Sequence, residues 1–220
     1  MTATLKIDFV SDVACPWCAV GLGSLEQALR QLDGEVTAEL HFQPFELNPH
    51  MGPEGQDVGE HLAQKYGSSP EQQAANWDAL RQRAEAVGVA FKREGRSRVW
   101  NTFDAHRLLH WAGEVGPQAQ LALKKALLQA YFGEGRGLAD HQVLLDAVRT
   151  AGLDLERARA ILASDTYATQ VREQERFYTS QGIHAVPSVI VNDRHLIQGG
   201  QPPEVFARAL RQIAAEETPA

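Results

Sequence analysis

Cysteine is scarce in this sequence. The 220 residues hold two, Cys15 and Cys18, and both fall in one four-residue segment. A stapling framework needs cysteines spread along the chain, so a disulfide scaffold is excluded. A structural bridge closing so small a loop would also remove little chain entropy. No run approaches the roughly 18 consecutive apolar residues that a spanning helix requires, and no membrane association is expected. Basic residues are outnumbered, 21 Lys and Arg against 28 Asp and Glu, for a formal net charge of −7. No surface able to neutralise a run of phosphates is implied, and nucleic acid is not an expected partner. The first residues lack the basic, apolar and small-residue succession of an export signal, so the expected compartment is the reducing cytoplasm. Internal repeats and low-complexity segments are absent as well.

What is present reads as an ordinary globular chain, 44% hydrophobic and long enough to bury a substantial core. Leu5, Ile7 and Phe9 alternate with Lys6 and Asp8, which predicts a strand over Met1 to Phe9. A helix from about Cys15 to Leu32 follows, stopped by Asp33-Gly34, and then a strand from Val36 to Phe45. From about Asp57 to Gly182 the pattern is helical. Ser69-Pro70-Glu71-Gln72 forms a capping box, and Gly88 is a stop. Further helices are placed near Thr102 to Val115, Gln118 to Phe132, His141 to Ala151, Asp154 to Ala163 and Thr166 to Gln181. Ser188 to Val191, the Asn192-Asp193 turn and Arg194 to Gln198 read as a hairpin, and a last helix follows Pro202-Pro203. The chain is therefore a split α/β domain, residues 1–56 and 183–220, interrupted by a helical insertion at 57–182.

The chemistry concentrates at the turn after the first strand, where open α/β sheets place their sites. With Cys15 as N-cap, Pro16 takes the first helical position, where its missing N–H costs nothing. Backbone N–H groups and the positive helix end then face the Cys15 sulfur and favour the thiolate, the species that attacks disulfides. Cys18, three residues on along the same face, is the resolving thiol. A cysteine pair two residues apart is also half of a zinc site, but the other half is missing, and no metal is expected. Trp17 offers apolar area to a peptide or flat ligand, or simply packs.

Two distant segments complete the candidate site. Pro187 stands at the first position of the Ser188–Val191 strand, one of the few places a sheet accepts proline. Near Asn101-Thr102, with Thr102 as the expected cap, Ala105, Leu108, Leu109 and Ala112 are spaced for core contact. Phe103, His106 and His110 form a second stripe with two readings, one facing the cysteines and one a solvated face.

These segments resemble the DsbA-like branch of the thioredoxin superfamily, and most closely its cytoplasmic FrnE-type members. The resemblance rests on Asp8-Phe9-Val10-Ser11-Asp12-Val13-Ala14-Cys15-Pro16-Trp17-Cys18, on Asn101-Thr102 with Ala105-His106-Arg107-Leu108, and on Val186-Pro187-Ser188 leading to Gly199-Gly200-Gln201-Pro202. It implies a thioredoxin-like fold with a large all-helical insertion. It also implies an exposed nucleophile at Cys15, a buried partner at Cys18, and a cis proline at Pro187 that contacts substrate backbone. Exported members carry histidine between the cysteines where this chain has Trp17, so a weaker oxidant than their roughly −120 mV is expected.

The expected activity is that of a protein disulfide oxidoreductase or isomerase, with Cys15 and Cys18 catalytic. Pro16, Trp17, Val186, Pro187, Phe103 and His106 are the expected substrate contacts. Apart from the redox-active Cys15–Cys18 disulfide no cofactor is expected; the partners are protein thiols and disulfides, or glutathione as co-substrate. The same branch contains kappa-class glutathione transferases and 2-hydroxychromene-2-carboxylate isomerases, which carry serine at the position of Cys15. A glutathione-dependent isomerase or transferase is thus the alternative, and a non-enzymatic holdase using an apolar surface near Trp17 a further one.

Overall fold

The computed structural model describes residues 3–217. The first strand, β1, runs Ala3–Ser11; Met1 and Thr2, which the sequence pattern included in it, lie outside the described residues. Helix α1 (Pro16–Gln31) and strand β2 (Val36–Pro44) follow, and β2 lies parallel to β1 with Phe9 beside Phe42. Strands β5 (Ser188–Val191) and β6 (His195–Gln198) form the hairpin, and helix α9 (Pro203–Glu217) ends the description. The main sheet has the order β2-β1-β5-β6, with β5 antiparallel to β1 and β6 antiparallel to β5. Asn192 and Asp193 take φ of 53° and 56°, as the two-residue turn between twisted strands demands.

Between β2 and β5 lie α2 (Val58–Tyr66), α3 (Pro70–Ala86), α4 (Phe103–Val115), α5 (Pro117–Leu128), α6 (His141–Thr150), α7 (Leu155–Leu162) and α8 (Ala168–Ser180). The capping box at α3 is formed: Ser69 Oγ accepts from the Gln72 N–H and Gln72 Oε1 from the Ser69 N–H. The segment also carries a short antiparallel pair, β3 (Gln56–Asp57) and β4 (Arg98–Val99), where neither stretch has helical periodicity. The helix expected to run to Phe132 ends at Leu128 and widens into a π-helical turn, Gln129–Gly133. The wider turn sends both Tyr131 and Phe132 into the core at 1% exposure, Phe132 stacking on Phe91 at 4.8 Å.

Leu5, Ile7 and Phe9 join the main core with α1 and α9, whereas Val10 packs with Tyr178 and Ile183. Asp8, which alternation assigned to the polar side, is buried; its carboxylate accepts from Gln43 Nε2 at 2.6 Å and pairs with Lys6 at 3.1 Å. Close backbone approach fixes the start of α1 against the hairpin. A Cβ on Gly21 would stand 3.1 Å from Pro187 Cγ, and one on Gly200 would stand 3.0 Å from the Trp17 carbonyl oxygen. This contact is what the missing Cβ atoms of Gly21 and Gly200 permit. Among the described residues, no helix is long and apolar enough to cross a membrane.

Candidate active site

Cys15 is the N-cap of α1, with φ −89° and ψ 114°, and Pro16 opens the helix. Both thiols are free. Cys18 is fully buried and Cys15 is 4% exposed, so the exposure that the resemblance implies for Cys15 falls instead on Trp17, at 39%. Arg83, from α3, lies over the Trp17 ring at 5.3 Å.

The two sulfurs are set in opposite directions. A hydrogen bond from the Cys18 thiol lowers the pKa of Cys15; burial opposes it, while the Cys18 and Trp17 N–H groups at the helix start add to the lowering. Burial, and then the sharing of that same hydrogen bond, push the Cys18 thiol well above the ordinary thiol value. Alkylation of the reduced protein with iodoacetamide is therefore expected to modify Cys15 first, with a pH midpoint below the ordinary 9.0, while Cys18 stays protected. Equal reactivity of the two thiols, read by mass spectrometry of the labelled peptides, would contradict this.

The loop entering β5 closes the site from above. The Val186–Pro187 peptide bond is cis. The Val186 carbonyl oxygen accepts from Cys15 Sγ at 3.7 Å, and Gly199 N–H donates to the Pro187 carbonyl at 2.8 Å. The structure thus brings Cys15, Pro16, Trp17, Cys18, Val186 and Pro187 together.

The α4 residues are placed differently. His106 is 2% exposed, and its Nε2 lies 3.5 Å from Asp12 Oδ1 beneath the cysteine turn. Phe103 is half-buried, with the Arg172 guanidinium 3.8 Å from its ring centroid. Arg172 also pairs with Glu46 and, at 2.7 Å, with Glu175. His110 faces Gln174 at 3.1 Å. Thr102 does not cap α4 with its side chain; Asn101 Oδ1 accepts the Phe103 N–H at 2.9 Å instead, which leaves Thr102 free to be buried at 3%. The expected core stripe holds: Ala105, Leu108, Leu109 and Ala112 are all buried.

Two charged residues that sequence reasoning gave no role sit directly under the pair. Asp12 is 1% exposed and accepts from the Ala14 N–H at 3.0 Å and the Leu47 N–H at 2.7 Å. Burial raises its pKa, but His106 and these two N–H groups outweigh that and hold the carboxyl below the usual range. Lys124, from α5, is 1% exposed and 5.6 Å from the centroid of the Phe42 ring. Burial lowers its pKa, opposed by the negative charges of Cys18, Asp12 and Cys15. A signal for Lys124 existed: Gln120, Leu123, Lys124, Leu127 and Leu128 follow the i, i+3, i+4, i+7, i+8 stripe that faces a core.

Residues 6–211 match the model of the DSBA-like thioredoxin domain family. The chain belongs to that family. The DsbA-like chain superposes on a probable DsbA oxidoreductase from Streptomyces coelicolor with a TM-score of 0.90 and 37% identity, covering 98% of this chain and 92% of that one. It is 28% identical over 208 residues to the uncharacterized protein YwbO of Bacillus subtilis (strain 168), covering 94% of this chain and 96% of that protein. The fold is shared, at a TM-score of 0.64 and 19% identity, with the cytosolic disulfide reductase DsbM from Pseudomonas aeruginosa with GSH, over 96% of this chain and 99% of that one. The DsbA-like chain has the thioredoxin-like α/β fold with a helical insertion that the sequence motifs imply.

Proposed function

We propose that this DsbA-like chain is a thiol–disulfide oxidoreductase of the cytoplasm whose working couple is Cys15 and Cys18. The observation that carries the reading is the opposed setting of the two thiols: an N-cap sulfur whose thiolate is favoured, next to a fully buried partner whose thiol is kept protonated. The Cys15 thiolate attacks one sulfur of a substrate disulfide, forming a mixed disulfide and expelling the other sulfur as thiolate. Cys18 then loses its proton and attacks Cys15 Sγ. That step closes the ring disulfide and releases the second substrate thiol, so two electrons pass from the pair to the substrate. Run in reverse, the same steps oxidise a substrate dithiol. Loss of the Cys18 proton is the demanding step, and the Lys124 ammonium favours the thiolate that results.

Trp17, Pro16 and the Val186–Pro187 bond surround Cys15 and form the surface that a substrate chain meets. Protein thiols and disulfides are the substrates this surface suits. Glutathione is the small co-substrate; the fold shared with a disulfide reductase solved with GSH supports that choice.

The test is a titration of the pair in glutathione redox buffers, with the thiol state read by alkylation. A reversible two-electron transition is expected, and no reversible transition would overturn the reading. In the same buffers Trp17→His is expected to raise the potential by about 30 mV, ~1.4 kcal/mol, because a cationic ring beside the Cys15 thiolate stabilises the reduced pair. An unchanged or lowered potential would show that the residue between the cysteines does not set the couple.

A further inference from the structure

Away from the Trp17 surface, β2, α4, α5 and α8 enclose a cavity of about 220 Å³ whose wall includes His106, Lys124, Gln43, Gln174 and Glu114. Lys124 is 1% exposed, yet among the described residues its Nζ has no hydrogen-bond partner. His106 Nε2, at 2% exposure, is likewise without one, its nearest carboxylate oxygen standing 3.5 Å away outside hydrogen-bond geometry. Beside the Phe42 ring, and with only the charges of Asp12 and the cysteine pair to favour it, an ammonium whose N–H groups have no acceptor is costly and is served by an anion that accepts from it. The one carboxylate on the wall does not answer it: Glu114 accepts from the Tyr167 hydroxyl at 2.6 Å and lies 3.8 Å from His110. At roughly 30 Å³ per water, the cavity has room for about seven waters or one small organic acid. It shares Gln43 and Gln174 with a neighbouring groove that also contains Lys6 and the exposed Phe177, which gives a route from solvent.

We infer that this cavity binds a small aliphatic carboxylate, whose oxygens accept hydrogen bonds from Lys124 Nζ and His106 Nε2 while the amides of Gln43 and Gln174 line its entrance. A carboxylate matches one ammonium and one ring nitrogen in charge and reach. The Glu114 carboxylate on the same wall disfavours a more highly charged tetrahedral anion.

Isothermal titration of the full chain with butyrate, at near-neutral pH, tests the assignment. One-site saturable binding is expected, absent with neutral butyramide and weakened about tenfold or more in both Lys124→Met and Gln174→Trp. The tryptophan substitution stands at the entrance, away from the buried ammonium, so it reports on the cavity even if the Lys124 variant fails to fold. No saturable heat, as for a cavity holding water only, would overturn the inference. So would binding that survives both substitutions, equal binding of butyramide, or binding of inorganic phosphate in preference to butyrate. The heat is read on the resting protein without turnover, so this site stands or falls separately from disulfide exchange.

Discussion

Cys15→Ser is expected to lower the rate of disulfide exchange at least about a thousandfold, because a serine hydroxyl stays protonated where the Cys15 thiol is poised to ionise. Cys18→Ser is expected to behave differently. Cys15 can still attack, but nothing resolves the product, so a mixed disulfide through Cys15 accumulates and survives gel electrophoresis without reductant. The burial of Cys18 at 0% exposure, against 4% for Cys15, is the reason for this order of events. Mixed disulfide formed through Cys18 in the Cys15→Ser variant, at a rate matching the wild type, would reverse the assignment. Exchange that persists with both cysteines replaced would remove the pair from the chemistry altogether.

The second large effect is on stability. Asp12→Ala strips the Ala14 and Leu47 N–H groups of their acceptor and leaves the buried His106 ring without its carboxylate neighbour. Unpaired buried groups cost about 1–3 kcal/mol each, and two N–H groups lose their acceptor, so a loss of about 2–6 kcal/mol is expected in urea unfolding. The folded-state pKa of Asp12 lies below its unfolded value near 3.8. Its contribution is therefore complete above that value and is lost as the pH falls through the lower folded-state pKa. Asp12→Asn should flatten the fall in stability below about pH 4. The same variant separates a structural role from an electrostatic one: the Asp12 charge opposes the Cys15 thiolate, so its removal should move the Cys15 alkylation midpoint to lower pH. An unchanged midpoint with lowered stability would make Asp12 a purely structural acceptor.

The sequence alone determined the order of the main-sheet strands and the longer helices, and it pointed to the turn after β1 as the candidate site. Both follow from short-range rules. Leu5, Ile7 and Phe9 alternate because a strand shows successive side chains to opposite faces, and Cys15-Pro16 must open a helix because proline is accepted there and not further in. The Asn192-Asp193 turn and the Ser69 capping box are equally local, and both formed as the residues indicate. The π-helical turn at Gln129–Gly133 was not legible, since the helix widens to let Tyr131 and Phe132 reach a core built partly from Phe91, far away in the chain.

The same division runs through the site. Asp12 stands in the cysteine motif, but its role depends on Leu47 and on His106, residues 35 and 94 positions away. Nothing in a short stretch can state that. Lys124 could be seen as a charge on a core-facing stripe, yet only the packing of α5 against β2 and α4 decided that this stripe lines a cavity beneath the cysteine pair. The stripe of Phe103, His106 and His110 was open between two readings. Tertiary structure divided it: His106 went beneath the cysteine turn, Phe103 under Arg172 and His110 against Gln174. Periodicity states which residues share a face; which partners that face meets is fixed by contacts between segments remote in sequence, and those contacts set the charge, burial and protonation on which the chemistry depends.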